Sequence, residues 1–182
     1  MTIHERPPCT PVEGILMRIF IDDSQPASSP AHRWTETTWE GKGKLFKVPL
    51  HWHQYHDEFI TVLEGEMDVY HDDEWKRVTP NDGTLFVKRT TVHGFTGVPG
   101  VKVVFKEAIN PDGDYKEAFF RDMGQQNPPG FWLVMRAFYD WDVAISLGRW
   151  SPKWLDSLFI TVLGGIAKML APPKLVEAEL PK

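Results

Sequence analysis

Two hydrophobic periods divide the chain near residue 110. Up to Glu107, short apolar or β-branched runs are separated by turn residues; beyond it, apolar positions recur at helical spacing. The first part predicts a strand over 14–21 and a Pro/Ser/Ala-rich surface loop over 24–32. Short strands then follow at roughly 34–39, 44–50, 51–54, 58–63, 66–71, 75–78, 83–88, 92–96 and 101–107. The breaks between them have chemical causes. Gly41 and Gly43 flank a turn, His71–Glu74 is a polar hairpin connection, and Pro80-Asn81-Asp82-Gly83 tolerates turn geometry. Many short strands punctuated in this way predict an all-β antiparallel sandwich or barrel.

In the second part, Asp114 can cap a short helix that runs to Met123 and closes at Gly124. Asn127-Pro128 resembles an N-cap and first-turn proline for a second helix to about Tyr139. Ser151-Pro152 repeats that signal, and Leu155, Leu158, Phe159, Val162, Leu163, Ile166 and Leu170 follow at helical spacing up to Pro172-Pro173. Trp132, Trp141, Trp150 and Trp154 make this tail too apolar to be solvated alone. It is expected to pack across the β-domain; a dimer interface, a lid, or shallow membrane contact rimmed by Lys153, Lys168 and Lys174 are the alternatives. The expected organisation is a flexible arm over 1–12, marked by Pro7-Pro8 and Pro11, a β-domain over 13–110 and a helical extension over 111–182.

A chain of 182 residues, 42% of them apolar, is long enough for one well-buried core. A net charge of −5 without a lysine or arginine run gives no electrostatic reason to bind nucleic acid. Cys9 is the single cysteine, so no intramolecular disulfide or thiolate cluster can form and any metal must be held by nitrogen and oxygen. Residues 1–8 have neither a secretory nor a transit pattern, and a cytoplasmic location is expected. Ser157–Ala171, interrupted by Lys168 and weakened by Gly164-Gly165, falls short of the roughly 20 apolar residues of a membrane span.

The chemistry concentrates in His51–Gly65. His51 and His53 lie one residue apart, so on a strand they share a face with Cα atoms about 7 Å apart, close enough for both imidazoles to reach one ion. Glu58 follows after an interval that can turn the chain, and the apolar run 59–63 carries it back as the next strand. His93 is a fourth candidate ligand.

The pattern His51-x-His53-x4-Glu58-x6-Gly65 resembles the first motif of the cupin superfamily, and His93 stands where the histidine of the second motif belongs. The resemblance covers roughly residues 40–107. It implies a small jelly-roll β-barrel with a divalent metal bound by His51, His53, Glu58 and His93. The sequence departs from the family pattern at turn positions: Leu45 replaces the glycine ahead of the first histidine. Lys88 and Thr90 replace a proline and a glycine, Asp82-Gly83 reverses the usual order, and Gly97 stands in for an asparagine.

Imidazole and carboxylate without thiolate suit iron, manganese, nickel, cobalt, copper or zinc, with Fe(II) favoured. Four protein ligands on a six-coordinate ion leave two positions open, as catalysis requires. Alternation places Ile60 and Val62 on the face of Glu58, Phe95 on that of His93, and Val101, Val103 and Phe105 on one face of the last strand, and together these predict an apolar cavity wall. Lys47, four residues before His51, would point inward by alternation unless Pro49 resets the register, and would then bind an anionic group or donate a proton. His56 is expected to be exposed at a turn. The leading expectation is a metal-dependent oxidoreductase of dioxygenase type, with Glu58 and Lys47 as catalytic groups and a small organic substrate. The alternatives are a non-redox isomerase, cyclase, dehydratase or decarboxylase, and a binding module without turnover. A homodimer through the barrel or the helices is the expected protein partner.

Overall fold

The computed structural model describes residues 2–175. Met1 and residues 176–182, the ends of the expected arm and extension, lie outside the described residues. Among the described residues, strands β1 (Ile3–Cys9), β2 (Ile15–Asp22), β3 (Arg33–Trp39), β4 (Lys47–Trp52), β5 (Asp57–Gly65), β6 (Met67–His71), β7 (Glu74–Val78), β8 (Thr84–Val87), β9 (His93–Gly97) and β10 (Val103–Asn110) precede helices α1 (Tyr115–Met123) and α2 (Phe131–Asp140). A two-residue strand, β11 (Ala144–Ile145), and helix α3 (Lys153–Leu170) follow. One antiparallel sheet has six strands in the order β1-β2-β3-β10-β5-β8; the other has five in the order β11-β4-β9-β6-β7. Strands distant in sequence thus become neighbours, as in a jelly roll.

The two inner faces meet in a core of Trp39, Phe46, Ile60, Val62, Met67 and Phe105, with smaller aliphatic side chains between them. Period-two alternation produces it: along β5, Glu58, Ile60 and Val62 are buried while the residues between them are half-buried. The β6–β7 hairpin turns on Asp72 and Asp73, with φ of 52° and 63°. A two-residue hairpin loop needs positive φ at both positions to match the strand twist, and short polar side chains tolerate it. Gly65 ends β5 at φ 73°, and a Cβ there would lie 1.8 Å from the Lys102 carbonyl oxygen. We therefore expect Gly65→Ala to cost at least ~2 kcal/mol, read as a lower midpoint in thermal or denaturant unfolding. An unchanged midpoint would mean that the 65–102 approach is not fixed.

The structure corrects the N-terminal expectation. Residues 3–9 are not a free arm but the outermost strand of the six-stranded sheet, paired with β2 through an irregularity between Arg6 and Cys9. Pro7 and Pro8 are tolerated because an edge strand can dispense with N–H donors. Arg6 also reaches Glu117 at 2.9 Å, tying β1 to α1.

The second helix begins later than its proline signal suggested, because Asn127 and Pro128 each precede a proline and are pushed out of the helical region. α1 packs against Ile109, Ala137 and Trp141, and α2 against α3 through Met135, Phe138, Ile160 and Ala167. Gly164 permits that contact, since a Cβ at 164 would lie 2.2 Å from the Tyr139 Cβ. β11 carried no sequence signal; it adds to the edge of β4 by pairing Ala144 with Trp52 and Ile145 with His51.

Candidate metal centre

The register of the five-stranded sheet sets His51 at the end of β4 directly opposite His93 at the start of β9. His53 follows one residue beyond β4, and Glu58 enters from β5 in the other sheet. The four side chains offer ligand atoms that all lie within 4.8 Å of one another, and each residue is at most 6% exposed.

Each imidazole is oriented by its own backbone contact. His51 Nδ1 donates to the Pro49 carbonyl at 2.8 Å, His53 Nδ1 to the Asp142 carbonyl at 2.6 Å and His93 Nδ1 to the Thr91 carbonyl at 3.0 Å. A proton on Nδ1 leaves Nε2 with a lone pair, and those lone pairs face the cluster. Nε2 of His53, Nε2 of His93 and Oε2 of Glu58 are buried with no hydrogen-bond partner among the described residues. His93 Nε2 lies 2.9 Å from Glu58 Oε2, and His53 Nε2 lies 3.3 Å from Glu58 Oε1. Acceptors facing one another so closely repel unless a cation joins them. Ligand atoms about 2.1 Å from an ion and at right angles lie about 3 Å apart, so the residues present fit a divalent metal.

The electrostatics agree with that fit. Burial, reinforced by the neighbouring imidazoles His93 and His53, holds His51 well below the usual histidine range, and burial pushes His53 down to about 4. Both rings are neutral, as metal ligands must be. Burial by itself would raise Glu58, but Lys116 and His53 outweigh it and keep the carboxylate well below its ordinary range. Lys116, from α1, contacts Glu58 Oε1 and donates to Glu107 Oε1 at 2.6 Å. Burial raises Glu107 to about 7.

A cavity of about 340 Å³ opens onto the cluster. Phe95 and Phe105 line it; Ile60, Val62 and Val103 are not on its lining and lie within the intersheet core. Lys47 differs from its expected orientation. It is exposed at the cavity rim, because an irregularity between Val48 and His51, around Pro49, shifts the alternation so that Val48 packs inward. The buried cation beside Glu58 is Lys116. His56, expected to be exposed, is 2% exposed, with Nδ1 donating to Asp142 Oδ2 at 2.9 Å and its ring stacked on His53 at 4.0 Å. The rest of the wall is shared between the β-domain, including Ile15, Met17 and Phe46, and the extension, including Phe119, Met123, Phe138 and Trp141.

Glu107 continues the alternation of Val103 and Phe105, so its inward place follows from strand periodicity. Lys116 and Asp142 reach the site only through tertiary folding, 58 and 86 residues from Glu58 and His56 respectively.

The two-sheet architecture and its buried His/Glu cluster fit a cupin: residues 42–104 match the family described as Cupin domain, so the chain contains a cupin domain. It is similar to the probable oxidoreductase virH of Hypocrea virens, with 29% identity over 63% of this chain and 58% of that protein. It is also similar to the probable oxidoreductase patJ of Penicillium expansum, with 32% identity over 51% of this chain and 29% of that protein. The chain thus spans little more than half of the first relative and under a third of the second. Among solved structures it is similar to the polyketide cyclase RemF from Streptomyces resistomycificus, at 28% identity and a TM-score of 0.41, covering 55% of this chain and 67% of that one. Among the described residues no helix is long and apolar enough to cross a membrane.

Proposed function

We propose that the chain is a metal-dependent cupin enzyme that acts on a small, largely apolar organic molecule, and that its reaction is an oxidation of dioxygenase type. The observation that carries this is the convergence of buried, unpartnered Nε2 and carboxylate lone pairs at the inner end of an aromatic-walled cavity. His51, His53, Glu58 and His93 would hold the ion, and Fe(II) is the ion this reading favours. A bound redox metal with open positions would supply electron transfer and orient the substrate's polar end. The chain's own residues do the remainder. Phe95, Phe105, Phe119, Phe138 and Trp141 provide flat apolar surface that grips an unsaturated body and excludes water from its reactive end. Lys116 holds Glu58 Oε1, which leaves Oε2 turned toward His93. The probable-oxidoreductase descriptions of the similar fungal proteins support the same class.

A non-redox reading, such as isomerisation, cyclisation, dehydration or decarboxylation, has one specific observation in its favour. Lys116 and Glu107 meet at 2.6 Å on the cavity lining beside the cluster, where they could exchange protons with a bound substrate. Metal analysis of protein purified without oxygen, followed by oxygen uptake with a panel of phenols, diketones and carboxylic acids, separates the two readings. The oxidative reading expects iron or another redox-active metal near one equivalent per chain and substrate-dependent uptake. Zinc alone with no uptake, together with conversion of a substrate at constant oxygen, would favour the second.

A further inference from the structure

Asp142 lies between α2 and β11, outside the segment that matches the cupin family, yet it contacts every residue from His53 to His56. Its carboxylate accepts the N–H groups of Gln54 and Tyr55, each at 2.9 Å, and Nδ1–H of His56 at 2.9 Å. Its own carbonyl accepts Nδ1–H of His53 at 2.6 Å. The backbone of Asp142 is left-handed, with φ of 62°, a region that non-glycine residues seldom occupy and aspartate tolerates better than most. That conformation brings the carboxylate and carbonyl of one residue to the same loop.

The loop held in this way connects two of the four metal-ligand candidates, His53 and Glu58. We infer that Asp142 is a positioning residue for the metal centre, supplied by the helical extension rather than by the barrel. The inference rests on the reading of the cluster as a metal site. With its carboxylate in place, the loop has one shape and the His53-to-Glu58 spacing is set before an ion arrives, while the Asp142 carbonyl fixes the His53 tautomer. Without it, two backbone N–H groups and the His56 ring lose their acceptor, the loop relaxes toward water, and binding must first restore the spacing. The barrel motif therefore provides the ligands, and the extension determines how tightly they grip.

The test is a titration of the full metal-free chain with Co²⁺ alone, reading the dissociation constant and the visible absorption bands, which report ligand number and geometry. Asp142→Asn keeps the volume and one acceptor oxygen but cannot receive all three N–H groups. It should weaken Co²⁺ binding about tenfold and alter the bands, and Asp142→Ala should weaken it toward about 100-fold. Asp122→Asn serves as the control, since Asp122 secures the same extension through Trp141 Nε1 at 2.7 Å and the Leu175 N–H at 2.8 Å with no hydrogen bond to the ligand loop. It should bind Co²⁺ like the wild type. Two results would overturn the inference: Asp142→Asn with the wild-type circular dichroism, constant and bands, or Asp122→Asn as damaging as Asp142→Asn. Failure of the wild type to bind Co²⁺ would overturn the metal reading itself and this inference with it, so the wild-type arm tells the two failures apart.

Discussion

Glu58→Ala and His93→Ala should each purify with almost no bound metal and with Co²⁺ affinity reduced well beyond the roughly 10- to 100-fold that follows loss of an outer-shell partner. His93 is fully buried and Glu58 1% exposed, so water cannot easily replace the lost ligand atom. The Glu58 change has a second effect. Lys116 contacts both Glu58 and Glu107, and removing one carboxylate leaves a buried ammonium with a single counter-charge. Glu58→Gln separates the two effects, because it keeps an oxygen for Lys116 while discarding the charge that draws the metal. Variants of either residue that retained full metal content would show that the cluster is not the binding site.

The largest stability effect is expected at Asp156, in the first turn of α3 and 1% exposed. Its carboxylate accepts Trp52 Nε1 at 3.1 Å, the Leu147 N–H at 3.0 Å and the Ser151 hydroxyl at 2.5 Å. Asp156→Ala leaves these three donors without their acceptor, the Trp52 Nε1–H deep in the interior, at a cost of about 3 kcal/mol. For a chain of this length that corresponds to a melting midpoint roughly 6–12 °C lower. Trp52 is the residue after His51 in β4, so the same variant should also bind metal less tightly. A midpoint within about 1 °C of the wild type would mean that α3 is seated by its apolar face alone.

The two-sheet fold and the clustering of its candidate ligands were legible in the sequence because both depend on short-range periodicity. Alternation buries Glu58, Ile60 and Val62 together, turn residues mark the strand ends, and His51 and His53 share a face through the pleat. Lys47 fails the same rule for a local reason, since the irregularity around Pro49 gives its inward place to Val48. His56 departs from expectation because a turn histidine is ordinarily solvated, whereas Asp142 and Tyr115, far along the chain, cover this one. Lys116 and Asp142 escaped notice for the same physical reason: helix periodicity indicates which face of the extension is apolar, but not which of its polar residues come to rest beside the barrel.

The two residues of β11 have a consequence for association between chains. β4 would otherwise present its open backbone along the margin of the five-stranded sheet, a template for strand addition by another molecule. β11 covers the Trp52 and His51 end, Ser146 N–H closes onto the Leu50 carbonyl at 3.0 Å, and Pro49 has no N–H to offer. A barrel cut free of its extension would therefore expose that margin and be prone to self-aggregation, so the tail also acts as a guard on colloidal solubility.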